Sequence, residues 1–471
     1  MRYKRRDNGT VAVLWDETDG ERQRAHLERL RWLKRDGTKG VLEESGGWPA
    51  PLGMTPMRHQ VETSDFLVLH PRACVLDDTG TGKTYAVSWS VWRLFEMGRV
   101  RKVGIVCPKS TLHTVWERTL ASVFLGNRKI TVKDVSGDVV IGNVDWWKSV
   151  KAGTYDLLVV DEATMIKNTT TQRFKGLYKL GRDAMVWLLT ATPMAQSPMD
   201  AHGIARMLGT TTEGKGLWRD RTMFQVSRFK WEPRRAAQEI VQPFLEPAIR
   251  HAKADCLDLP PITYTRREVA LTADQKRLLQ TLKAQYRLEI NQATVTAANE
   301  AVLRTKFLQI LCGIVYSDQG VEQVESERMD VIDEIVAESA DPVLVFGIFK
   351  GLTFHWTPAY SSGVINGDTP DKERVRLIDA FQSGEIRALM AHPATIGHGV
   401  TLTRGSTVVW ATPTDSAELF YQGNSRLHRK GQTNAVTVVE LVSHPLEEHI
   451  FDRLEKMGSL QGLLLEMFEE D

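Results

Sequence analysis

The sequence predicts an α/β fold of two tandem lobes, each a parallel sheet covered by helices, together with a helical bridging segment. Three observations predict it. At 471 residues the chain exceeds the roughly 100 to 200 residues that one domain usually organises. Short apolar, β-rich runs alternate with helical patterns in two separate series, the mark of strands buried on both faces. The first run of the first series breaks into a glycine-containing turn and then opens a helix, as strand-turn-helix units do.

The elements follow in order. Residues 1–55 form a basic accessory segment with the runs MRYKRR and ERLRWLKR, which suit a phosphate-contacting arm or, equally, a solvated helix face. It ends in the Gly- and Pro-rich stretch VLEESGGWPAPLGMTP, which reads as a linker. The first lobe, 56–210, carries the runs ACVLDD, KVGIVCP, YDLLVVDEA and MVWLLTATP. Residues 211–335 turn helical, as in ADQKRLLQTLKAQYRLEI, and are expected to bridge the lobes. The second lobe, 336–471, carries DPVLVFGIF, SSGVING, IRALMAHP, STVVWATP and AVTVVELVS.

Composition narrows the classes. Hydrophobic residues at 42% and charged residues at 25% fit a globular protein rather than a disordered or fibrous one. No apolar run reaches the roughly 18 residues of a membrane span, and no secretory h-region follows the basic start, so a cytoplasmic location without membrane association is expected. Cys74, Cys107, Cys256 and Cys312 lack the paired spacings of zinc sites or disulfide frameworks, which predicts reduced thiols and no structural metal. The net charge of +1 decides nothing about nucleic acid, because a basic groove is compatible with acidic outer surfaces.

The strongest local signal is CVLDDTGTGKT. Gly80 and Gly82 let the backbone approach phosphate oxygens at a helix amino terminus, with Thr81 between them in the same cofactor-binding loop; Lys83 adds a point charge, and Thr84 can ligate Mg²⁺. Asp77 stands where the strict phosphate-loop pattern has its first glycine. DLLVVDEAT ends a strand with Asp161 and Glu162 at the carboxyl edge where ligands bind in parallel sheets. Asp161 suits the magnesium shell and Glu162 suits activation of the attacking water. Alone, an Asp-Glu pair would equally cap the next helix.

With these motifs in place, the chain resembles the Swi/Snf-type branch of superfamily 2, over nearly everything from about 55 to 457. MRHQ resembles the family's adenine-reading element, with Gln60 at the base-binding position. DDTGTGKT is similar to its aspartate-led phosphate loop, and VCPKSTLHTVW to the motif that touches the DNA backbone. DEATMIKN resembles the acidic motif and LLTATP the element that couples hydrolysis to lobe movement, which implicates Thr190 and Thr192 in coupling, together with Gln422 of the second lobe. IRHAKADCLDLPP is similar to the stretch that crosses between lobes. ATIGHGVTLT resembles the motif contacting DNA and nucleotide, through Gly399, and YQGNSRLHRKGQ the arginine-finger motif. Thr164 replaces the last His of a DEAH-type box, His398 sits where a small or apolar residue is usual, and Asn424 and Ser425 precede Arg426 where small residues are common.

The resemblance implies two RecA-like lobes and a minimal motor, closer to fork-remodelling or annealing types than to chromatin remodellers. It places ATP between the lobes with Lys83 and Thr84 on the phosphates and Arg426 and Arg429 as fingers, whose alternative role is a surface salt bridge. Lys109, Ser110, Lys167, Asn168, Thr395 and Thr401 are candidate contacts to the DNA backbone, or else capping residues. Trp146, Trp147, Trp187 and Trp410 suit base stacking less well than core packing. The implied cofactors are ATP and Mg²⁺. The implied partners are duplex or branched DNA and replication or recombination proteins, for a monomer in a bacterial or phage-infected cell, or in the nucleus if the source is eukaryotic. A strand-separating DNA or RNA helicase and a nucleotide-gated binding module are the competing readings.

Overall fold

The computed structural model describes residues 2–5, 11–14, 56–124, 126–150, 155–227, 231–292, 297–317, 320–354, 360–396 and 400–466. The chain divides into two compact units, Met1–Asp258 together with Ser459–Asp471, and Leu259–Gly458.

In the first unit, helix α1 (Arg58–Leu69) leads into strand β1 (Arg72–Val75), helix α2 (Lys83–Glu96) and strand β2 (Val103–Val106). After helix α3 (Arg118–Phe124) come β3 (Ile130–Val132), β4 (Val139–Gly142) and β5 (Leu157–Asp161). Helix α4 (Gln172–Gly181), β6 (Met185–Leu189), helix α5 (Ala201–Leu208) and the two-residue strand β7 (Ala248–Ile249) complete the framework. The strands form one sheet in the order β7-β1-β6-β5-β2-β4-β3, every pair parallel. Parallel strands need crossovers on the sheet faces, so both faces must be apolar. β5 shows the result: Leu158 and Val160 enter one core and Leu157 and Val159 the other.

The second unit repeats the architecture. Strand β8 (Ile262–Glu268) precedes helices α6 (Ala273–Gln292), α7 (Ala297–Leu311) and α8 (Arg328–Glu338). Then come β9 (Val343–Phe346), β10 (Ser362–Ile365), helix α9 (Asp371–Ser383), β11 (Ala388–Ala391) and β12 (Thr407–Trp410). Helix α10 (Ala417–Asn424), β13 (Val436–Val442) and helix α11 (Pro445–Glu466) follow. The order is β8-β13-β12-β9-β11-β10, again all parallel. On β9, Leu344 and Phe346 face one core and Val343 and Val345 the other.

Two parallel, helix-covered sheets in series are the expected fold class. The segment 211–335 divides differently from the expected bridge. Residues up to Asp258 pack with the first unit and Leu259 onward with the second. The division follows from β7 and β8, one of which joins each sheet. Neither has the unbroken apolar run by which the other strands are read. β7 is two residues long, and β8 is an edge strand whose side chains are mostly exposed. Of the basic amino-terminal runs, Arg2–Arg5 pairs antiparallel with Val11–Leu14, and ERLRWLKR lies outside the described residues.

One buried charge organises the second unit. Arg328 is fully buried and donates to the Leu311 carbonyl at 3.1 Å, to Ser443 Oγ at 2.7 Å and to Glu447 Oε2 at 2.9 Å, with a further bond to the Ala411 carbonyl. Helices α7, α8 and α11 and the end of β12 thus meet on one guanidinium. Removing one partner of such a pair strands the other charge, which costs about 3–5 kcal/mol. Arg328→Met is therefore expected to lower unfolding stability by about that amount in denaturant titrations.

Candidate nucleotide site

Parallel topology puts the carboxyl ends of β1, β6 and β5 side by side on one edge of the first sheet. The chain leaving β1 forms the loop Leu76–Gly82. Gly80 and Gly82 take φ of 89° and 87°, a left-handed backbone that glycine adopts without steric cost. Gly82 is also the N-cap of α2, which no side chain caps, so the first N–H groups of the helix face outward as an anion site requires. Lys83 opens α2 and its ammonium donates to the Asp77 and Asp78 carbonyls at 2.7 and 2.9 Å. Thr84 follows as the second helical residue. Thr81 Oγ1 closes the loop on the Asp78 carbonyl at 2.9 Å.

The loop is held from α1. Gln60 accepts from the Met57 N–H at 3.1 Å and donates to the Thr81 carbonyl at 3.0 Å, and His59 Nε2 meets the same carbonyl at 2.7 Å. A Cβ on Gly82 would lie 2.2 Å from Gln60 Nε2, so a side chain there would displace the Gln60 amide from the loop, while the backbone angle is what requires glycine.

A second grip comes from the residues after β7. Asp77 is buried, and its carboxylate takes Thr63 Oγ1 at 3.1 Å and His251 Nδ1 at 2.9 Å. His251 Nε2 faces Glu62 at 3.2 Å. Asp78 receives Arg250 Nη1 at 3.0 Å and the Lys253 N–H at 2.8 Å. Burial alone would lower the His251 pKa, yet the charges and hydrogen bonds of Asp77 and Glu62 raise it from 6.5 to about 9. Burial likewise works against the charge on Asp77, but His251 and Lys83 hold its carboxyl below the usual range. The departure at Asp77 thus has a local reason, since this position needs a carboxylate for His251.

At the end of β5, Asp161 Oδ2 accepts the indole N–H of Trp116 at 2.8 Å. Burial raises the pKa of Asp161 against the opposing pull of that hydrogen bond and of the Lys83 charge. Lys83 and Asp161 are therefore within electrostatic reach of each other. Glu162 takes φ 57° and ψ 62°, a left-handed conformation rare for a residue with a side chain and often found at functional sites. Beyond β6, the Thr190 N–H bonds the Val75 carbonyl at 3.0 Å and Thr190 Oγ1 accepts the Thr192 N–H at 3.0 Å. The Thr192 hydroxyl is buried with no partner among the described residues. Hard oxygen donors at Thr84 and Asp161, a buried carboxylate held high by burial, and an uncapped helix terminus fit a magnesium nucleotide.

The other candidates separate into groups. Lys109 is exposed and Ser110 partly so, in the turn after β2. Lys167 contacts Gln196 Oε1 at 3.3 Å and Asp200 Oδ1 at 3.5 Å, and Asn168 Oδ1 caps its own turn through Thr170. In the second unit the Thr395 hydroxyl donates to the His392 and Ile365 carbonyls at 2.7 and 3.2 Å. Thr401 is partly buried, and Gly399 and His398 lie outside the described residues. Gln422 donates to Glu418 Oε1 at 3.3 Å. The Arg426 carbonyl accepts the Leu402 N–H at 2.9 Å, and Arg429 Nη1 donates to the Val400 carbonyl at 2.8 Å. Two motifs separated in sequence therefore meet around both arginines. Asn424 accepts the Trp410 indole N–H at 2.9 Å, which explains an amide where small residues are common. Trp147, Trp187 and Trp410 are fully buried and Trp146 packs partly against the core, so the first three are core residues rather than stacking platforms.

Two family models match this chain: the SNF2-related domain over residues 135–314 and the helicase conserved C-terminal domain over 327–431. The chain belongs to the SNF2-related family of superfamily 2 helicases. Like that family it is an ATP-hydrolysing, helicase-class enzyme. Among curated relatives of this SNF2-family chain, protein p41 of Acyrthosiphon pisum secondary endosymbiont phage 1 is 24% identical over 88% of this chain and 98% of its own length. The ATP-dependent helicase YqhH of Bacillus subtilis is 24% identical over 88% of this chain and 81% of its own. The SWI2/SNF2 ATPase core of Sulfolobus solfataricus, solved in complex with dsDNA, superposes with TM-score 0.40 and 21% identity over 89% of this chain and 95% of that one. The family assignment of the SNF2-type chain rests on the two domain models, not on that superposition.

Sequence reasoning did not single out Glu62, Thr63, Trp116, Arg250 or His251. Trp116, Arg250 and His251 sit inside motifs recognised for other reasons, and no local pattern marks them as partners of Asp161, Asp78 and Asp77. Because folded His251 keeps its proton to about pH 9 and a free imidazole releases it near 6.5, the network's contribution to stability is complete below about pH 6.5. It is lost as pH rises through about 9. Urea unfolding of wild type and His251→Gln at pH 6 and pH 9.5 is expected to show a stability gap that narrows at the higher pH.

Proposed function

We propose that the chain couples ATP hydrolysis to movement along duplex or branched DNA, remodelling forks or displacing bound proteins. What supports the reading is a shared sheet edge: β1 leads there into a loop whose backbone is shaped for phosphate and into the helix that Lys83 opens, and β5 ends there in Asp161. Within it, Lys83 steadies the β- and γ-phosphates and the α2 amino terminus offers N–H groups to them. Glu162 takes the proton of the attacking water as the new O–P bond forms and ADP leaves. Magnesium, when bound by Thr84 and Asp161, supplies positive charge to the phosphate oxygens. Gln60, tied to the loop through the Thr81 carbonyl, is the adenine reader of this scheme.

In the same proposal Arg426 and Arg429 give charge to the transferring phosphoryl group, and Thr190, Thr192 and Gln422 respond to the change from ATP to ADP. Lys109, an exposed cation in the turn after β2, is the backbone contact best supported, with Ser110 partly exposed beside it. Lys167 is partly exposed and joins them by exchanging Asp200 for phosphate. Asn168 and Thr395 act through the turns they stabilise, and Thr401 and Gly399 complete the second unit's contribution. All these contacts are independent of sequence.

Steady-state hydrolysis with no nucleic acid, duplex DNA, branched DNA, single-stranded DNA and RNA tests the reading. Stimulation by duplex or branched DNA is expected. Glu162→Gln should reduce turnover by about 10²-fold or more, and Arg429→Ala by about 10³-fold, each with little change in the affinity for ATP. Stimulation by single strands or RNA alone would instead identify a strand-separating helicase.

A further inference from the structure

Buried indole N–H groups require an acceptor; Trp410 uses the Asn424 amide oxygen, and three in the first unit use a backbone carbonyl. Trp147 donates to Ile105, Trp187 to His70 and Trp218 to Pro198, each at 2.9 to 3.0 Å. Trp116 differs. It is fully buried, and its N–H goes to the Asp161 carboxylate at 2.8 Å. Its own segment is also unusual: Leu112–Glu117 is a π-helical stretch inserted before α3. Such wide turns recur at functional sites, because the extra residue redirects a side chain that α-helical spacing would place elsewhere. The π-helical stretch follows directly on the 3₁₀ turn Lys109–Thr111, which Thr111 fastens to the Pro108 carbonyl through its N–H at 3.1 Å and its hydroxyl at 3.0 Å. Seven residues therefore connect an exposed cation to a carboxylate of the hydrolytic site through continuous helical backbone.

We propose that Trp116 is a positioning residue for Asp161, and that through it the segment Lys109–Glu117 reports nucleic-acid contact to the magnesium-holding carboxylate. The indole occupies Oδ2 and fixes the rotation of the carboxylate, leaving Oδ1 for the metal shell. Partners of this kind, one step removed from the metal, typically alter metal affinity or activity by 10- to 100-fold. A shift of the Lys109–Thr111 turn moves the base of the π-helical stretch and with it the donor. The part of the proposal concerning nucleic acid rests on the function proposed above, whereas the part concerning Asp161 does not.

The test uses the full chain. Binding of a fluorescent ATP analogue is titrated with Mg²⁺ for wild type, Trp116→Phe, Asp161→Asn and the double variant, and again in EDTA. Trp116→Phe is expected to raise the half-saturating Mg²⁺ concentration about 10-fold, to leave the affinity in EDTA unchanged, and to add nothing to Asp161→Asn. DNA stimulation of hydrolysis should fall towards one in Trp116→Phe. Unchanged Mg²⁺ dependence, or losses that add to those of Asp161→Asn and appear equally in EDTA, would overturn the proposal. Because removing a buried indole can disturb folding, wild type labelled with ¹⁵N at its 13 tryptophans gives a second readout. One indole N–H resonance should shift with Mg²⁺ and ADP, and the same one in Asp161→Ala; if no indole responds to either, the proposal fails. If wild-type hydrolysis ignores nucleic acid, the translocase reading falls while the magnesium titration still decides the role of Trp116.

Discussion

The site depends on a buried negative charge. A carboxylate removed from water is costly unless charge and hydrogen bonds compensate it, and Asp77 obtains both from Thr63 on α1 and His251 after β7. The carbonyls of Asp77 and Asp78 in turn receive the Lys83 ammonium. One loop therefore has its position fixed in part by residues 174 and 175 places away in sequence. The residues that fix it lie where the chain is about to leave the first unit.

Most of the fold was legible because parallel strands buried on both faces leave nearly uninterrupted apolar runs. VGIV, LLVVD, VLVF and TVVW need little context to be recognised. The strands that escaped did so for physical reasons. β8, ITYTRRE, is a sheet edge in which Tyr264, Thr265 and Arg266 face solvent, so its hydrophobic signal is absent. β7 is two residues of backbone pairing. Both lie in the stretch expected to bridge the lobes, and their membership of different sheets is what divides that stretch.

The chemistry of the site was legible where the residue type and its spacing both matter. Lys83, Asp161 and Glu162 belong to local patterns with little freedom, at the ends of strands that share one sheet edge. What could not be read were the partners. Nothing in the run KSTLHTVW says that the tryptophan faces Asp161 rather than a carbonyl, since the π-helical turn that aims it has no sequence signature. In the same way Asn168 and Thr395 are polar residues in the expected motifs, yet their side-chain oxygens satisfy nearby backbone. Composition alone does not distinguish a hydroxyl that grips phosphate from one that closes a turn.

The exposed edge strand β8 has a further consequence, for behaviour in concentrated solution. An edge presents unpaired backbone groups to which another chain can add. On this edge Arg266 is clamped by Glu440, Asp452 and Glu455 at 3.0, 2.7 and 3.4 Å, and Arg267 by Glu334 and Glu338, both at 2.8 Å. A second copy approaching strand to strand must strip water from this ring of fixed charges before any ladder can form. The arginines that keep β8 out of the apolar pattern thus also guard the sheet against propagating from one molecule to the next.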